Sequence, residues 1–443
     1  MAWLLPIGSS LECEGIPQPV RILRGLGGGG QGQVFEADLG GEAMAVKWYY
    51  PTAIQRDPGL RRRLEESIRA TSPNDRFLWP IALLRPTAAA AQRIHSPEPG
   101  FGYLMRLRPA SYVAANEHYA GRLEISLQAV LRCCFDLAEA FHALHSRGFC
   151  YKDISLGNLF LDPADGQALI CDNDNVDVIG RNQGGVVGTW GFMAPEVGLG
   201  LARPDVQSDL FSLAVLIFRL LTRHDPLRGC RELTIPCLDL QAKRRLYAEE
   251  PLFIFDPLDP GNRPDSVEHP APLITWPIYP PLLQELFVQT FGPGMRQPER
   301  RTLTGQWAQA LAATLDRRSC CPHCGQENFP EPRQEKLCWS CGLAFAAAPR
   351  LVMASGSVAL AAGNELHPHH FDPLRAESLR RPLGRVVAHP SRPGVLGLSN
   401  LDLSPWQATL SSGKGVVLAP GESCNLALVV RLTTPQGPVE LQR

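Results

Sequence analysis

The chain lacks any apolar run approaching the ~20 residues needed to cross a bilayer. Its longest candidate, Leu210 to Leu221, is interrupted by Arg219. The opening Met1-Ala2-Trp3-Leu4-Leu5-Pro6 has no basic stretch and too short an apolar one for a secretory leader, so a cytosolic protein is expected. Charge bias is also missing. Lys and Arg number 43 against 44 Asp and Glu, a formal net charge of −1. Such a balance gives no general pull on nucleic acid or an anionic membrane. No internal repeat stands out, which argues against solenoids and propellers.

What is present fits a soluble chain of two to three domains: 443 residues, 44% apolar and 20% charged. The 13 cysteines are odd in number, and Cys133, Cys134, Cys150 and Cys171 fall inside apolar runs. They read as reduced thiols.

Composition separates three regions. Residues 1–316 mix glycine-rich strand signals with amphipathic helix patterns. Val20 to Lys47 predicts strands around a glycine turn, and Leu60 to Ala70 predicts a helix. Leu127, Val130, Leu131, Cys134, Leu137, Ala138, Phe141 and Leu144 follow one helical face. Asp209 to Leu221 is apolar nearly all round, as in a buried helix. The proline-rich stretch from Arg223 to Leu283 is expected to wind over the surface. Residues 317–348 carry two Cys-x-x-Cys pairs. Residues 349–443 show short apolar runs broken by Gly, Pro, Asn and Ser, the pattern of a β-domain.

The chemistry-bearing residues lie in the first region. Gly27, Gly29, Gly32 and Val34 fit G-x-G-x-x-G-x-V, where glycines let backbone approach phosphate oxygens. Ala45-Val46-Lys47 ends the next strand with a lysine suited to nucleotide phosphates. A helical carboxylate should orient that lysine, and Glu65 is the choice, with Glu66 adjacent. After the long amphipathic helix comes Tyr151-Lys152-Asp153 with Asn158 five residues beyond Asp153. Leu169-Ile170-Cys171-Asp172-Asn173-Asp174 ends an apolar strand in carboxylates able to ligate magnesium. Asp172 is the better register and Asp174 the alternative. Gly188-Thr189-Trp190-Gly191-Phe192-Met193-Ala194-Pro195-Glu196, then Ser208-Asp209, then Pro298-Glu299-Arg300-Arg301 complete the series.

In this order these elements resemble the protein-kinase superfamily over about two-thirds of the chain. The resemblance implies an α+β, bilobal fold, with an N-lobe over 1–107 and a C-lobe over 108–316. It implies that Lys47 and Glu65 seat ATP, that Asn158 and Asp172 hold magnesium, and that Asp153 handles the substrate hydroxyl. It further implies that Asp209 braces the loop around Asp153 and that Arg301 pairs with Glu196. Phe77-Leu78-Trp79-Pro80, Ile254-Phe255-Asp256-Pro257 and Asn262-Arg263-Pro264 look like bacterial members of the eukaryotic-like Ser/Thr kinases. Some of those accompany a von Willebrand A protein and a phosphatase in tellurite-resistance (TerY-P) systems. The chain departs from the pattern at Tyr151-Lys152, at Ser155 in place of a phosphate-contacting lysine, and at Asn173-Asp174.

Cys321, Cys324, Cys338 and Cys341 predict a zinc ribbon over 317–348, each pair followed by a glycine that permits a tight knuckle. Rubredoxin-like iron is the second option, and His323 and Cys320 read as bystanders. Residues 349–443 resemble forkhead-associated-like β-domains only through Gly397-Leu398-Ser399-Asn400-Leu401, Trp406 and Ala419-Pro420-Gly421, without a clear phosphopeptide-reading set. His367, His369 and His370 could suggest a metal, but Pro368 and Pro373 mark the stretch as irregular and a solvated loop is the reading. The expected function is ATP- and magnesium-dependent phosphorylation of a protein substrate. A pseudokinase scaffold that binds nucleotide or partners without efficient transfer is the alternative, and a small-molecule kinase a third.

Overall fold

Side chains alternate between the two faces of an extended strand, and that parity decides where Lys47 goes. The first strands are β1 (Ser10–Cys13), β2 (Ile16–Gly28), β3 (Gly32–Leu39), β4 (Glu42–Tyr49), β5 (Ala82–Pro86) and β6 (Gly102–Arg106). Along β4, Met44, Val46 and Trp48 join one apolar cluster with Leu11, Phe35 and Leu104. Ala45 and Tyr49 join a second with Leu60, Leu64 and Tyr103. Lys47 shares the parity of this second set and is only 4% exposed. The strands close into an antiparallel barrel in the order β1-β2-β3-β4-β6-β5.

The computed structural model describes residues 3–92, 100–180, 187–331, 335–392 and 394–442. Residues 181–186, within the segment between Asp172 and Glu196, lie outside that set. So do residues 332–334, between the two cysteine pairs. The chain divides into two compact units, 1–124 with 136–263 and 288–304, and 125–135 with 264–287 and 305–443. This partition is coarser than the four segments expected from sequence.

In the first unit, α1 (Leu60–Ala70) buries Leu60, Arg63, Leu64 and Ser67. Helix α2 spans Leu127–Ser146, with the part from Asp136 onward in this unit. It precedes the short strands β7 (Leu159–Leu161) and β8 (Ala168–Ile170), which pair antiparallel. Helix α3 (Val206–Thr222) starts at a capping box, with Ser208 N donating to Asp205 Oδ1 at 2.9 Å and Asp205 N to Ser208 Oγ at 2.8 Å. Nearly all of α3 is buried, and Phe218 packs against Phe253 and Phe291 at centroid distances of 5.7 and 6.3 Å. The proline-rich stretch is therefore not merely a surface wrap. Tyr247, Phe253, Ile254 and Asn262 are buried, because the prolines separate short apolar anchors rather than a polar loop.

The second unit holds the C-terminal β-region. Its strands are β9 (Arg350–Val352), β10 (Ser357–Ala359), β11 (Glu365–Leu366), β12 (Gly384–Ala388), β13 (Leu396–Asn400), β14 (Trp406–Leu410), β15 (Gly415–Leu418), β16 (Ser423–Asn425), β17 (Val429–Thr434) and β18 (Gly437–Gln442). They form a six-stranded sheet, β10-β9-β18-β17-β14-β15, and a four-stranded one, β11-β12-β13-β16. Leu366, Val386 and Leu398 of the smaller sheet share one core with Leu351, Trp406, Leu432 and Val439 of the larger, which makes a β-sandwich. Trp406 is fully buried at its centre. A Cβ on Gly384 would come within 2.6 Å of the indole, so only glycine fits beneath it.

The histidine triplet departs from the expected solvated loop. His367 and His370 are buried at 3% and 2% exposure. His370 Nε2 lies 3.1 Å from Asp316 Oδ2, and His367 N donates to His370 Nδ1 at 3.0 Å. Because Nδ1 accepts that bond, the ring proton sits on Nε2 and faces Asp316. Asp316, His369 and His370 do bring ligand atoms within 4.8 Å of one another. The proton on His370 nevertheless makes the group a hydrogen-bonded cluster.

Arg301 is 1% exposed. Its guanidinium donates to both carboxylate oxygens of Glu196 at 2.8 Å, to Gln207 O at 2.8 Å and to Gly294 O at 3.0 Å. Removing one partner of such a buried pair costs about 3–5 kcal/mol. Urea unfolding of Arg301→Ala should therefore show a loss of that order, while Arg300→Ala, an exposed neighbour, should leave the midpoint almost unmoved.

Candidate active site

Loop geometry sets the floor of the site. Gly29 N donates to Gly32 O at 2.9 Å, closing the turn between β2 and β3. A Cβ at Gly32 would meet Trp48 O at 2.2 Å, so close backbone approach requires glycine there. At Gly27 and Gly29 a Cβ would meet nothing within 4 Å. Both instead line a cleft of about 1040 Å³ together with Gly32, Val34, Lys47, Asp153 and Asp172. The sequence-predicted residues of the glycine turn, the lysine and two carboxylates thus meet at one opening.

Asp153 is held by its neighbours. Asn158 Nδ2 donates to Asp153 O at 2.8 Å, which fixes the loop and leaves Asn158 Oδ1 to accept or coordinate. Thr189 Oγ1 donates to Asp153 Oδ1 at 2.7 Å. Asp209 braces the loop from α3: its carboxylate accepts from Tyr151 N at 2.6 Å and Lys152 N at 3.0 Å. His145 Nε2 lies 3.0 Å from the same carboxylate. These bonds tolerate the left-handed backbone of Lys152, whose φ is 73°.

Lys47 and Glu65 do not come together. Lys47 Nζ meets Asp174 Oδ2 at 2.7 Å, Asp172 Oδ1 at 3.2 Å and Gln31 Oε1 at 3.4 Å. Glu65 lies in an i, i+4 row on α1, pairing with Arg61 at 3.1 Å and Arg69 at 3.7 Å. The inward face of α1 is instead set by Leu60, Leu64 and Ser67, with Arg63 buried and bonded to Asp57 at 3.0 Å. The period of α1 carries this signal, because Glu65 falls one residue past the inward Leu64. Burial lowers the Lys47 pKa, but Asp174 and then Asp172 outweigh it and leave the ammonium held above its ordinary value. Burial raises Asp172, Lys47 opposes that, and Asp174 and Asp153 add to it.

Asp172 has the left-handed backbone, φ 53° and ψ 43°, and its side chain is 45% exposed. Asp174 two residues later is 1% exposed. The one-turn segment Asn173–Asn175 separates an accessible carboxylate from a buried one. Lys152, in place of an arginine, donates to Asp177 Oδ2 at 3.1 Å, and both side chains are under 5% exposed.

The cysteine group lies in the second unit. Cys321 Sγ is 3.7 Å from Cys341 Sγ, and Cys324 Sγ is 3.6 Å from Cys338 Sγ. All four sulfurs fall within 4.8 Å of one another. A tetrahedral cation with Zn–S bonds of ~2.3 Å requires sulfur separations of about 3.8 Å, whereas a disulfide needs about 2.05 Å. Gly325 and Gly342 take φ 77° and 72°, and their N–H groups each donate to the first cysteine of the pair at 2.9 Å. The residues fit a structural zinc. Purified protein should carry about one zinc per chain, and Cys324→Ser should lose it and open the ribbon to proteolysis, since binding and local folding are coupled. Elemental analysis finding iron, or no metal in freshly reduced protein, would contradict this.

Residues 109–251 match the model of the family described as protein kinase domain. The serine/threonine-protein kinase PknD of Protochlamydia amoebophila is 24% identical over 249 residues, which is 50% of this chain and 25% of that protein. Protein kinase MCK1 of Saccharomyces cerevisiae is 24% identical over 183 residues, 41% of this chain and 46% of that protein. The cGMP-dependent protein kinase 2 of Rattus norvegicus is 37% identical over 99 residues, 22% of this chain and 13% of that protein. The chain spans less than half the length of each of these relatives. The matched stretch contains Asp153, Asn158, Asp172 and Glu196 but neither Lys47 nor Arg301. No described helix is long and apolar enough to cross a membrane. Residues 109–251 therefore match a protein kinase domain, within a chain of mixed helix and strand content.

Proposed function

We propose that the protein is an ATP- and magnesium-dependent serine/threonine kinase that transfers the γ-phosphate to a protein hydroxyl. The observation that carries this reading is the convergence of Lys47, Asp153 and Asp172 on one glycine-rimmed cleft. Lys47 would contact the phosphates as a fixed positive charge. Asp172 and Asn158 would hold magnesium, which when bound neutralises phosphate charge. Asp153 would accept or orient the proton of the attacking hydroxyl, with Thr189 keeping its carboxylate directed. The residues mostly position and neutralise, as phosphoryl transfer requires.

The finer assignments belong to the same proposal. Residues 1–107 and 108–316 act as the two kinase lobes, 317–348 as a zinc ribbon, and 349–443 as a β-domain that recruits or regulates. The bacterial likeness suggests a cytoplasmic signalling protein working beside a von Willebrand A protein and a phosphatase. A non-transferring scaffold is the second reading. Ser155, buried where the resemblance calls for a phosphate-contacting lysine, favours it.

Asp153→Asn should keep nucleotide binding and lower transfer from radiolabelled ATP by ~10²–10⁴. Equal residual transfer in wild type and Asp153→Asn would favour the scaffold. Loop phosphorylation should not be the switch. The described part of the segment from Asp172 to Glu196 offers Thr189 as its hydroxyl, already bonded to Asp153, and Lys152 is already paired with Asp177. Phosphatase treatment should leave activity unchanged. A stoichiometric phosphate on Thr189 that activity requires, found by mass spectrometry, would overturn this.

A further inference from the structure

Glu65 is engaged with Arg61 and Arg69, so another group must hold Lys47. We propose that Asp174 is the positioning residue for Lys47, and that the turn after β8, not helix α1, sets where the ammonium points. Its consequence for transfer rests on the kinase reading above, but the pairing itself does not.

Three features divide the labour between Asp172 and Asp174. First, Asp174 is 1% exposed, and its Oδ2 takes two donors, Lys47 Nζ at 2.7 Å and Tyr49 OH at 2.5 Å. Lys47 and Tyr49 are two residues apart on β4, so strand parity delivers both to the same carboxylate. Asp174 does not line the cleft: its Oδ2 is occupied by these two donors and its Oδ1 is buried without a hydrogen-bond partner among the described residues. Asp172, with its side chain 45% exposed and lining the cleft, carries one longer contact, from Lys47 Nζ to Oδ1 at 3.2 Å. The alternative of Asp174 as the magnesium ligand is thereby disfavoured by geometry.

Second, the turn that presents Asp174 is anchored from behind. Asn173 is fully buried, and its Nδ2 donates to Leu78 O at 2.9 Å and Ile170 O at 3.1 Å. A bulky apolar residue at this position could make neither bond. The Asn173-Asp174 departure noted in the sequence is thus a connected pair, in which the amide fixes the turn and the carboxylate fixes the lysine.

Third, the inward face of α1 presents a cation. Arg63 is 2% exposed and bonded to Asp57, and Asp177 and Asp174 add to the field around it. A buried arginine at this register leaves the helix supplying positive charge toward the segment of Asp174. The carboxylate partners of Lys47, Asp174 and Asp172, both come from that segment.

The test uses the full chain without nucleotide and follows acylation of Lys47 by a succinimidyl ester at mildly alkaline pH, read by peptide mass spectrometry. Losing an opposite charge lowers a lysine pKa by roughly 1–3 units. Asp174→Asn should therefore speed Lys47 labelling by about tenfold or more, while Glu65→Gln should leave it unchanged. In transfer assays Asp174→Asn should lower kcat/KM for ATP roughly ten- to hundredfold, the scale of a misplaced contact, with Glu65→Gln within about twofold of wild type. Wild-type labelling in Asp174→Asn, or equal acceleration by Glu65→Gln, would overturn the proposal. A wild type that labels as expected but transfers no phosphate would refute the kinase reading and leave the pairing standing. Should Asp174→Asn fail to fold, a crystal structure of the wild type with magnesium and a non-hydrolysable ATP analogue decides. Lys47 bonded to Asp174 supports the assignment, and Lys47 bonded to Glu65 or Glu66 contradicts it.

Discussion

A buried ammonium needs a counter-charge, and that requirement at Lys47 organises the site. The lysine is 4% exposed, a position in which an unpaired charge would cost several kcal/mol. Two carboxylates from one short segment meet it, at 2.7 and 3.2 Å. This ties β4 to the turn after β8. Because Asp172 is both a partner of Lys47 and a wall of the cleft, the field that seats the lysine also extends into the cleft.

The same economy recurs through the first unit. Asp209 accepts two backbone N–H groups and faces His145, fixing the loop that carries Asp153. Arg301 closes on Glu196 in a forked pair, and Lys152 on Asp177 in a single one. An arginine presents a planar fork suited to a carboxylate or phosphate, while a lysine is a point charge. The lysine at position 152 therefore suits a fixed aspartate better than a phosphate that comes and goes. Asp174 and Asp177, just after Asp172, are held by charges already encoded in the chain.

Much of this was legible in the sequence, for physical reasons. Helix α1 falls at Leu60–Ala70 as its pattern predicts, and the reading of Arg301 against Glu196 matches the observed pair. Those features depend on periodicity or on motifs of fixed spacing. The partner of Lys47 was less accessible. Glu65 and Asp174 are both carboxylates at plausible distances along the chain, and what separates them is which one a helix turns outward. Likewise His367 and His370 sit in a stretch punctuated by Pro368 and Pro373, the mark of a loop. They are buried because Asp316, more than 50 residues earlier, waits to accept the His370 proton. The clustering of Cys321, Cys324, Cys338 and Cys341 was readable because each pair sits on its own tight turn followed by a glycine. The sandwich sheets were not, since short strands with similar apolar content fix neither their order nor which sheet each joins.

The deciding property of the protein is whether its glycine-rimmed cleft binds nucleotide through a metal held at Asp172. Isothermal titration of the full chain with ATP, in the presence of magnesium and then of a chelator, tests this directly. The expected result is saturable binding that needs magnesium and is weakened in Asp172→Ala. ATP binding of equal strength with the chelator present, or binding unchanged in Asp172→Ala, would contradict it.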